Sequence, residues 1–505
     1  MRLPRNRMLR ALAWLGIALG VLEVLYVVAG NIALAACSKR FDTNSPVGVS
    51  FERGFTWIPG RVDLRGVRVH GAASGGWSVA LASANVAFAP WSVATSPRHV
   101  ESVAMDVTRV DIGARGSKGA MHVVVRDLAI DGALVSFHVE DTVTDATLES
   151  DGAVLAKSMH GTIALDVASV DLEQRSILET TSGKIALDGV FLSLEPLASF
   201  GSLATTQEPG TLHVAGALDK GVLGPASEIR AHTASASLKD DHGAKGDFPK
   251  GLDVIVRVAP AAPAELQLAV ETPSLVFGGS DPSKSADTFD DFAMSVPAGR
   301  SDLKMNHLAM RSLDWSSSHA TIHEGQTTFT AQVTGHFHFD MRTDGALVAD
   351  GGYIGAPSVI VENADATDRT PFEARLVIER LAVSHENGIA LRGPLHASGT
   401  DARPLLEALV TSESMRKNVS GALAHKSFTL DATLNRDDAH VALESFALSA
   451  SGLKLRGAYR RNDKTTRGAF ILEDGVLPPI GISLHDKTES FVLGASSAWL
   501  THELE

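Results

Sequence analysis

The sequence predicts a mainly β protein in which an N-terminal transmembrane helix precedes one long antiparallel sheet with few short helices. Two observations lead to this fold class. A single apolar stretch runs from Ala11 to Ala36, and apolar residues recur at every second position through much of the remaining chain. Alternation of this kind, bounded by Gly, Asp, Asn and Ser, is typical of antiparallel strands joined by tight turns.

The apolar stretch predicts a membrane anchor. As a helix it would extend over about 39 Å, which exceeds the hydrocarbon core of roughly 30 Å. Four arginines precede it and only Lys39 and Arg40 closely follow it, so the positive-inside rule places the N-terminus in the cytoplasm and the bulk of the chain across the membrane. We therefore expect a cytoplasmic stub and transmembrane anchor over residues 1–40 and one β domain over residues 41–505.

Two features of this segment leave alternatives open. Glu23 lies near the middle of the span, where a charged side chain either faces a partner helix or is tolerated by an otherwise strong span. Leu34-Ala35-Ala36-Cys37 resembles the lipobox of bacterial lipoproteins, which would make the protein a lipoprotein acylated at Cys37. Because the apolar stretch is far longer than the roughly 7 to 15 residues of a signal peptide, an uncleaved anchor is favoured over acylation or a cleaved signal.

Composition excludes several function classes. The first 40 residues carry a net charge of +5. Because the whole chain carries −14, the β domain carries −19. An acidic body is a poor partner for nucleic acid, because binding to phosphates needs clustered Lys and Arg. The single cysteine, Cys37, excludes an intramolecular disulfide framework and multi-cysteine zinc sites.

The β domain shows its strands as runs of same-parity apolar residues. Examples are Val254, Val256 and Val258, followed by Leu266, Leu268 and Val270. Counting such runs predicts about 20 to 24 strands.

Smaller features interrupt this pattern. Leu-Arg-Gly closes a predicted strand three times, at Gly66, Gly393 and Gly457, and the apolar phase slips across Gly66, which indicates a bulge or turn. Chance recurrence of so short a signature is the alternative. Asp401 is expected to cap a short helix that contains Pro404 and Leu409.

The sequence offers little chemistry. His336, His338 and Asp340 would share one strand face and could hold zinc, but a solvated polar face opposite Phe337 and Phe339 is favoured. Two further segments are expected to have no site: Asp287, Asp290 and Asp291 lie in a predicted solvated acidic loop, and residues 113–119 are predicted to form a hairpin turn. No hydrolase, metalloprotease or dinucleotide signature occurs, so we expect no enzyme activity, no cofactor and no metal.

The chain resembles the AsmA-like family of bacterial envelope proteins. The resemblance rests on the anchor running into Gly30-Asn31, on residues 55–62 and 64–69, and on residues 453–460. It implies a bridge-like lipid transfer fold, in which a long sheet curls into an open groove, apolar inside, anchored in the inner membrane and extending into the periplasm. Curling the sheet around acyl chains or folding it into a sandwich would each cover its apolar face.

Under this resemblance we expect the protein to bind lipid acyl chains and to act in lipid transport or outer-membrane maintenance. Its partners would be a phospholipid or other envelope lipid, the inner membrane, and a further membrane helix or envelope protein. The alternative is an assembly or scaffold factor that offers strand edges to outer-membrane proteins without carrying lipid. The predicted groove-lining residues are Val62, Leu64, Phe337, Phe339, Leu453 and Leu455.

Overall fold

The computed structural model describes residues 21, 23–35, 47–71, 77–94, 98–112, 115–131, 134–150, 153–171, 180–192, 203–206, 209–239, 245–260, 262–278, 286–300, 312–324, 327–341, 347–363, 370–384, 390–402, 426–436, 440–462, 465–485 and 488–504. Most of them lie in strands.

The described part of the predicted anchor is helical, at residues 21 and 23–35, and we call it α1. Within the described residues, no helix has the length and apolar character needed to cross a membrane. The cytoplasmic stub, residues 11–20 of the apolar stretch and Cys37 lie outside the described residues, as does the predicted helix beyond residue 402. The other described helices are a 3-10 helix at Pro90–Ala94 and α2 at Ser497–Leu504.

The first half of the sheet contains β1 (Val47–Ser50), β2 (Arg53–Phe55), β3 (Arg61–Gly71), β4 (Trp77–Phe88), β5 (Arg98–Ile112), β6 (Arg115–Asp131), β7 (Leu134–Ser150), β8 (Ala153–Asp171), β9 (Thr181–Phe191), β10 (Leu203–Thr206), β11 (Gly210–Asp219), β12 (Val222–Leu223), β13 (Glu228–Thr233), β14 (Ala236–Lys239), β15 (Lys245–Phe248) and β16 (Leu252–Ala259).

The second half contains β17 (Ala262–Gly278), β18 (Asp287–Arg300), β19 (Ser312–Glu324), β20 (Thr327–Met341), β21 (Leu347–Asn363), β22 (Phe372–Ile378), β23 (Leu381–Ser384), β24 (Ala390–Gly399), β25 (Phe428–Arg436), β26 (His440–Ala450), β27 (Leu453–Asn462), β28 (Thr466–Glu473), β29 (Ile480–His485) and β30 (Thr488–Leu493).

All 30 strands belong to one antiparallel sheet. Strands that share one position in the sheet do not pair with each other, for example β1 and β2, which both pair with β3. Counted by position, the described strands follow one another in chain order and form a single open meander from β1 to β30. Five positions are shared by interrupted strands, for example β22 and β23, which both pair with β21 and with β24. At a spacing of about 4.8 Å per strand, the sheet is roughly 110 Å wide. The prediction of one long antiparallel sheet is confirmed.

The long strands are interrupted by irregularities rather than by turns. Gly66 of β3 has a φ of 62° and no ladder partner on β2 or β4, yet the register with β4 is the same on both sides of it. Because of this kink, Leu64 and Val67 contact the same buried cluster. Gly393 and Gly457 lie in regular ladders. The expectation that Leu-Arg-Gly closes a strand is therefore wrong, because the strand continues past the glycine in all three copies.

Candidate functional site: the apolar face of the sheet

Strand register decides which side chains share a face, because residues directly opposite one another on antiparallel strands point to the same side. Starting at β3, a continuous line of cross-strand partners crosses eight strands and contains no polar residue. We call it the first apolar row, and its members are Val62, Val86, Val103, Val125, Val139, Leu165, Gly183 and Leu218.

A second line of cross-strand partners begins at Leu212 on β11 and reaches the last strand. Leu212 and Leu218 lie on the same uninterrupted strand at an even spacing, so the two lines share one face. This second apolar row consists of Leu212, Ala231, Val254, Val270, Met294, Trp315, Gly335, Ile354, Leu376, Ala397, Leu430, Leu448, Leu455, Leu472, Ile480 and Leu493.

The six residues predicted to line a groove lie on this face. Val62 belongs to the first row and Leu455 to the second. Leu64, Phe337 and Leu453 each lie two residues from a row member on the same strand, and Phe339 lies two residues beyond Phe337. They belong to separate clusters of buried side chains. Leu64 packs against the cluster formed by β3–β8, Phe337 and Phe339 pack against Ile378, and Leu453 and Leu455 belong to the cluster of β24–β29. The structure thus brings them to one face but not into one contact group.

Exposure of the face changes along the sheet. At the C-terminal end Leu455 is only 8% exposed. From β7 to β13, by contrast, Val139, Leu165 and Val214 are half-buried, and Ile229 is 46% exposed. A second layer of protein would bury these positions fully, as in a sandwich core.

Sequence reasoning missed the central part of this face. A third line of cross-strand partners crosses six consecutive strands there, and it consists of Leu187, Val214, Ile229, Val256, Leu268 and Val296. The alternation in each strand was visible in the sequence, but alternation does not tell which residue of the next strand lies opposite.

Asp141 is an ionisable residue on the apolar face. It lies opposite Val123 on β6 and Ile163 on β8. Its Oδ1 atom is buried without a hydrogen-bond partner among the described residues, and this burial raises the pKa of the Asp141 carboxyl above its ordinary value. An ionised carboxylate in this position opposes folding, because burial in apolar surroundings penalises the charged form.

Asp141→Val is therefore expected to stabilise the protein at neutral pH by about 1 kcal/mol, the lower part of the cost of an unsatisfied polar group. With a raised pKa in the folded state, the wild-type chain loses stability as pH rises from the ordinary Asp pKa through the raised value. Urea unfolding at several pH values measures both effects. Asp145→Val, which changes an exposed carboxylate of the same strand, is the control, and equal changes in the two variants would contradict the assignment.

The opposite face is mostly polar and carries a repeated arrangement. Among the described residues, six histidines each place Nδ1 against the carboxylate of an aspartate directly opposite on the neighbouring strand. The pairs are His122–Asp106, His138–Asp166, His213–Asp188, His232–Asp253, His336–Asp314 and His396–Asp431. Cross-strand pairs of this type stabilise the sheet and make this face hydrophilic.

His138→Gln should change the pH dependence of stability. The hydrogen bond to Asp166, with Nδ1 and Oδ1 at 2.6 Å, raises the pKa of His138 above its ordinary value. Because the folded-state pKa is raised, the stabilisation is fully present below the ordinary histidine pKa and is lost as pH rises through the raised value. The effect is at most about 1 kcal/mol for a surface pair. NMR titration of His138 in the wild-type chain measures its pKa. An unchanged pKa of His138 in the Asp166→Asn variant would contradict the assignment.

The candidate metal residues do not form a metal centre in the described residues. His336 and His338 do share a face, with their Nε2 atoms 3.0 Å apart, and His336 is engaged by Asp314. The side chain of Asp340 is not described, and the described residues contain no group of three or more potential ligands.

The predicted acidic loop is wrong. Asp287, Asp290 and Asp291 belong to β18, where Asp287 accepts a hydrogen bond from the backbone N–H of His323 and Asp291 accepts one from the Ser318 hydroxyl. Pairing with the neighbouring strands overrides the turn preference of aspartate. The predicted hairpin turn at residues 113–119 is too long, because residues 115–119 belong to β6. Ile112 lies opposite Arg115, and the two residues between them lie outside the described residues.

No protein-family model matches this chain, and neither a curated protein nor a solved structure matches it. The AsmA-like resemblance therefore rests on the residues quoted above, and the functional argument rests on the geometry of the sheet.

Proposed function

We propose that the sheet curls into an open groove whose apolar face binds lipid acyl chains, and that the protein takes part in lipid transport or outer-membrane maintenance in a bacterial envelope. In this proposal α1 belongs to an inner-membrane anchor and the β domain lies in the periplasm. The ligand is a phospholipid or other envelope lipid, and no catalytic residue takes part.

The observation that carries the proposal is the continuity of the two apolar rows from β3 to β30. An acyl chain has no polar group to satisfy, so it needs an unbroken apolar surface and little else. Each CH₂ group that leaves water for such a surface contributes about 0.8 kcal/mol. The half-exposed side chains in the middle of the sheet, such as Leu165 and Ile229, leave room for a ligand that a closed sandwich would not leave.

The polar face supports the same arrangement. Its His–Asp and Arg–Glu pairs, such as Arg126 with Glu140 and Arg456 with Glu473, keep one side of the sheet hydrated. The other side is then the only one suited to lipid among the described strands.

Mass spectrometry of co-purified lipid tests the proposal. The full chain is purified in a mild detergent and examined by native mass spectrometry, followed by extraction and identification of the lipid. We expect phospholipid bound to the wild-type protein. Consistent recovery of lipid-free protein would contradict the proposal.

The edge strand β30 favours a second candidate function, strand addition to an envelope protein. Within the described residues, β30 pairs only with β29, and Leu493 is 79% exposed while Phe491 and Val492 are also exposed. An open apolar edge can accept a strand from a partner. Photo-crosslinkers at Phe491 and Leu493 would capture a partner polypeptide in this case, whereas crosslinks to lipid alone would favour the groove.

A further inference from the structure

The N-terminal edge of the sheet carries exposed apolar side chains beside α1. Trp57 is 68% exposed and Trp91 is 75% exposed, and Ile58 is also exposed. Phe55 lies edge-on to Trp57, with 4.3 Å between ring centroids. Large apolar groups concentrated at one end of a molecule mark a binding surface.

Hydrogen bonds hold this group against α1. The Asn31 amide donates to the Thr56 carbonyl at 3.0 Å and accepts from the Thr56 N–H at 2.9 Å. Further along, the N–H of Gly60 donates to the Tyr26 hydroxyl at 3.4 Å. The segment from Thr56 to Gly60 therefore runs beside the helix toward its N-terminus, over about five residues or 7.5 Å of helix length.

The 3-10 helix at Pro90–Ala94 begins beside Gly60, the end of this segment. The Gly60 carbonyl accepts a hydrogen bond from the Phe88 N–H at 2.7 Å, and a Cβ atom at Gly60 would lie 3.1 Å from Cδ of Pro90. Trp91 follows Pro90 directly. We call Trp57, Ile58 and Trp91 the collar. All three lie next to residues of the segment beside α1 or of the 3-10 helix that packs against this segment.

The position of the collar along the helix indicates what covers it. If the apolar stretch enters the hydrocarbon core at Ala11, about 20 residues at 1.5 Å cross a core of about 30 Å, and the far boundary falls near residue 31. Asn31 is bonded to Thr56, so the collar lies at that boundary. Tryptophan favours this zone of a bilayer, where its apolar ring and its N–H are both satisfied. Val24, Leu25 and Val28 of α1 are themselves exposed.

Two arginines lie just beyond the collar. Arg53 and Arg65 are exposed and directly opposite one another on β2 and β3, an arrangement of like charges that destabilises a sheet unless an anion lies between them. Neither forms an ion pair with another side chain in the described part of the chain. The adjacent Gly54 approaches Leu34 of α1, which is about three residues, or 4.5 Å, past the hydrocarbon boundary. Lipid phosphates lie at this depth.

We propose that the N-terminal edge of the sheet binds the surface of an anionic bilayer, and we call this edge the seat. The collar enters the hydrocarbon boundary of the leaflet distal to the cytoplasm, and Arg53 and Arg65 contact lipid phosphates. This inference rests on the membrane anchor of the proposed function. The first apolar row begins at Val62, two residues beyond Gly60, so the seat brings the start of the row to the leaflet surface.

Tryptophan quenching tests the collar. The full chain, with all tryptophans but one replaced by Phe, is reconstituted in vesicles of phosphatidylcholine and phosphatidylglycerol that contain phospholipid brominated near the headgroup end of the acyl chain. We expect strong quenching of Trp57 and of Trp91. Trp499 in α2, at the far end of the sheet, is the control. Quenching of Trp57 and Trp91 no greater than that of Trp499 would overturn the inference.

Charge substitution tests the phosphate contact. The double variant Arg53→Gln and Arg65→Gln should lower Trp57 quenching in these vesicles to the level found in phosphatidylcholine alone. Arg456→Gln with Arg460→Gln removes equal charge at the other end of the sheet and should leave the quenching unchanged. Equal quenching in the two double variants would contradict the contact. Vesicle flotation separates the failures, because a chain that floats without collar quenching retains its anchor and lacks only the seat.

Discussion

Leu165→Asp is expected to lower the amount of phospholipid that co-purifies with the protein by about tenfold or more. Leu165 lies in the first apolar row, between Val139 and Gly183, and it is half-buried. A carboxylate there would have to lose water when an acyl chain covers it, at a cost of at least 1.4 kcal/mol, which corresponds to a factor of ten in binding. Quantitative mass spectrometry of extracted lipid measures the change.

Thr162→Asp is the matched control for this prediction. Thr162 lies on the same strand but on the polar face, opposite Thr142 and Ala186, so the same charge is introduced into water. We expect wild-type lipid content in this variant. If both variants lose lipid equally, the loss would come from altered folding or charge and not from interruption of the apolar row.

Phe446→Ala is expected to have the largest effect on stability. Phe446 is 1% exposed and its ring lies edge-on to Phe470, with centroids 5.4 Å apart, inside the buried cluster of β24–β29. Truncation of a core Phe leaves a cavity and costs about 3–5 kcal/mol. Because each strand contacts mainly its neighbours, as in a repeat protein, the loss should be local. Hydrogen exchange of β25 to β28 measures it.

Phe491→Ala provides the comparison for this second prediction. Phe491 is exposed on the edge strand, and surface truncation changes the free energy of unfolding by no more than about 0.5 kcal/mol. A change below about 1 kcal/mol for Phe446→Ala would show that this cluster is not a tightly packed core.

Alternation in the sequence was sufficient to predict many strands and which residues of one strand share a side. Val254, Val256 and Val258 were assigned to one strand and Leu266, Leu268 and Val270 to the next, and in the structure Val254 lies opposite Val270 and Val256 opposite Leu268. A period of two places such residues on one side of a strand whatever lies beside it. The prediction of a mainly β chain is confirmed, whereas the predicted count of about 20 to 24 strands is too low, because the described residues form 30 strands, several of which share one position in the sheet.

The rows themselves could not be predicted, because they depend on register. Slips occur between many strand pairs, for example between Leu443 and Phe446 on β26, and each slip changes which residues meet. A slip of one residue would also have moved Asp141 to the polar face. The six predicted lining residues were chosen from conspicuous motifs and lie partly in buried clusters, whereas the more exposed positions, such as Ile229, carry no sequence signature beyond alternation.

Site-specific photo-crosslinking to radiolabelled phospholipid tests the central claim most directly. A photoreactive side chain is placed in turn at Val86, Leu165, Ile229 and Leu472 on the apolar face, and at Thr162 on the polar face. We predict lipid adducts at all four apolar positions, from the first strands of the sheet to the last, and none at Thr162. Adducts confined to one end of the sheet, or found equally at Thr162, would contradict a continuous lipid-binding groove.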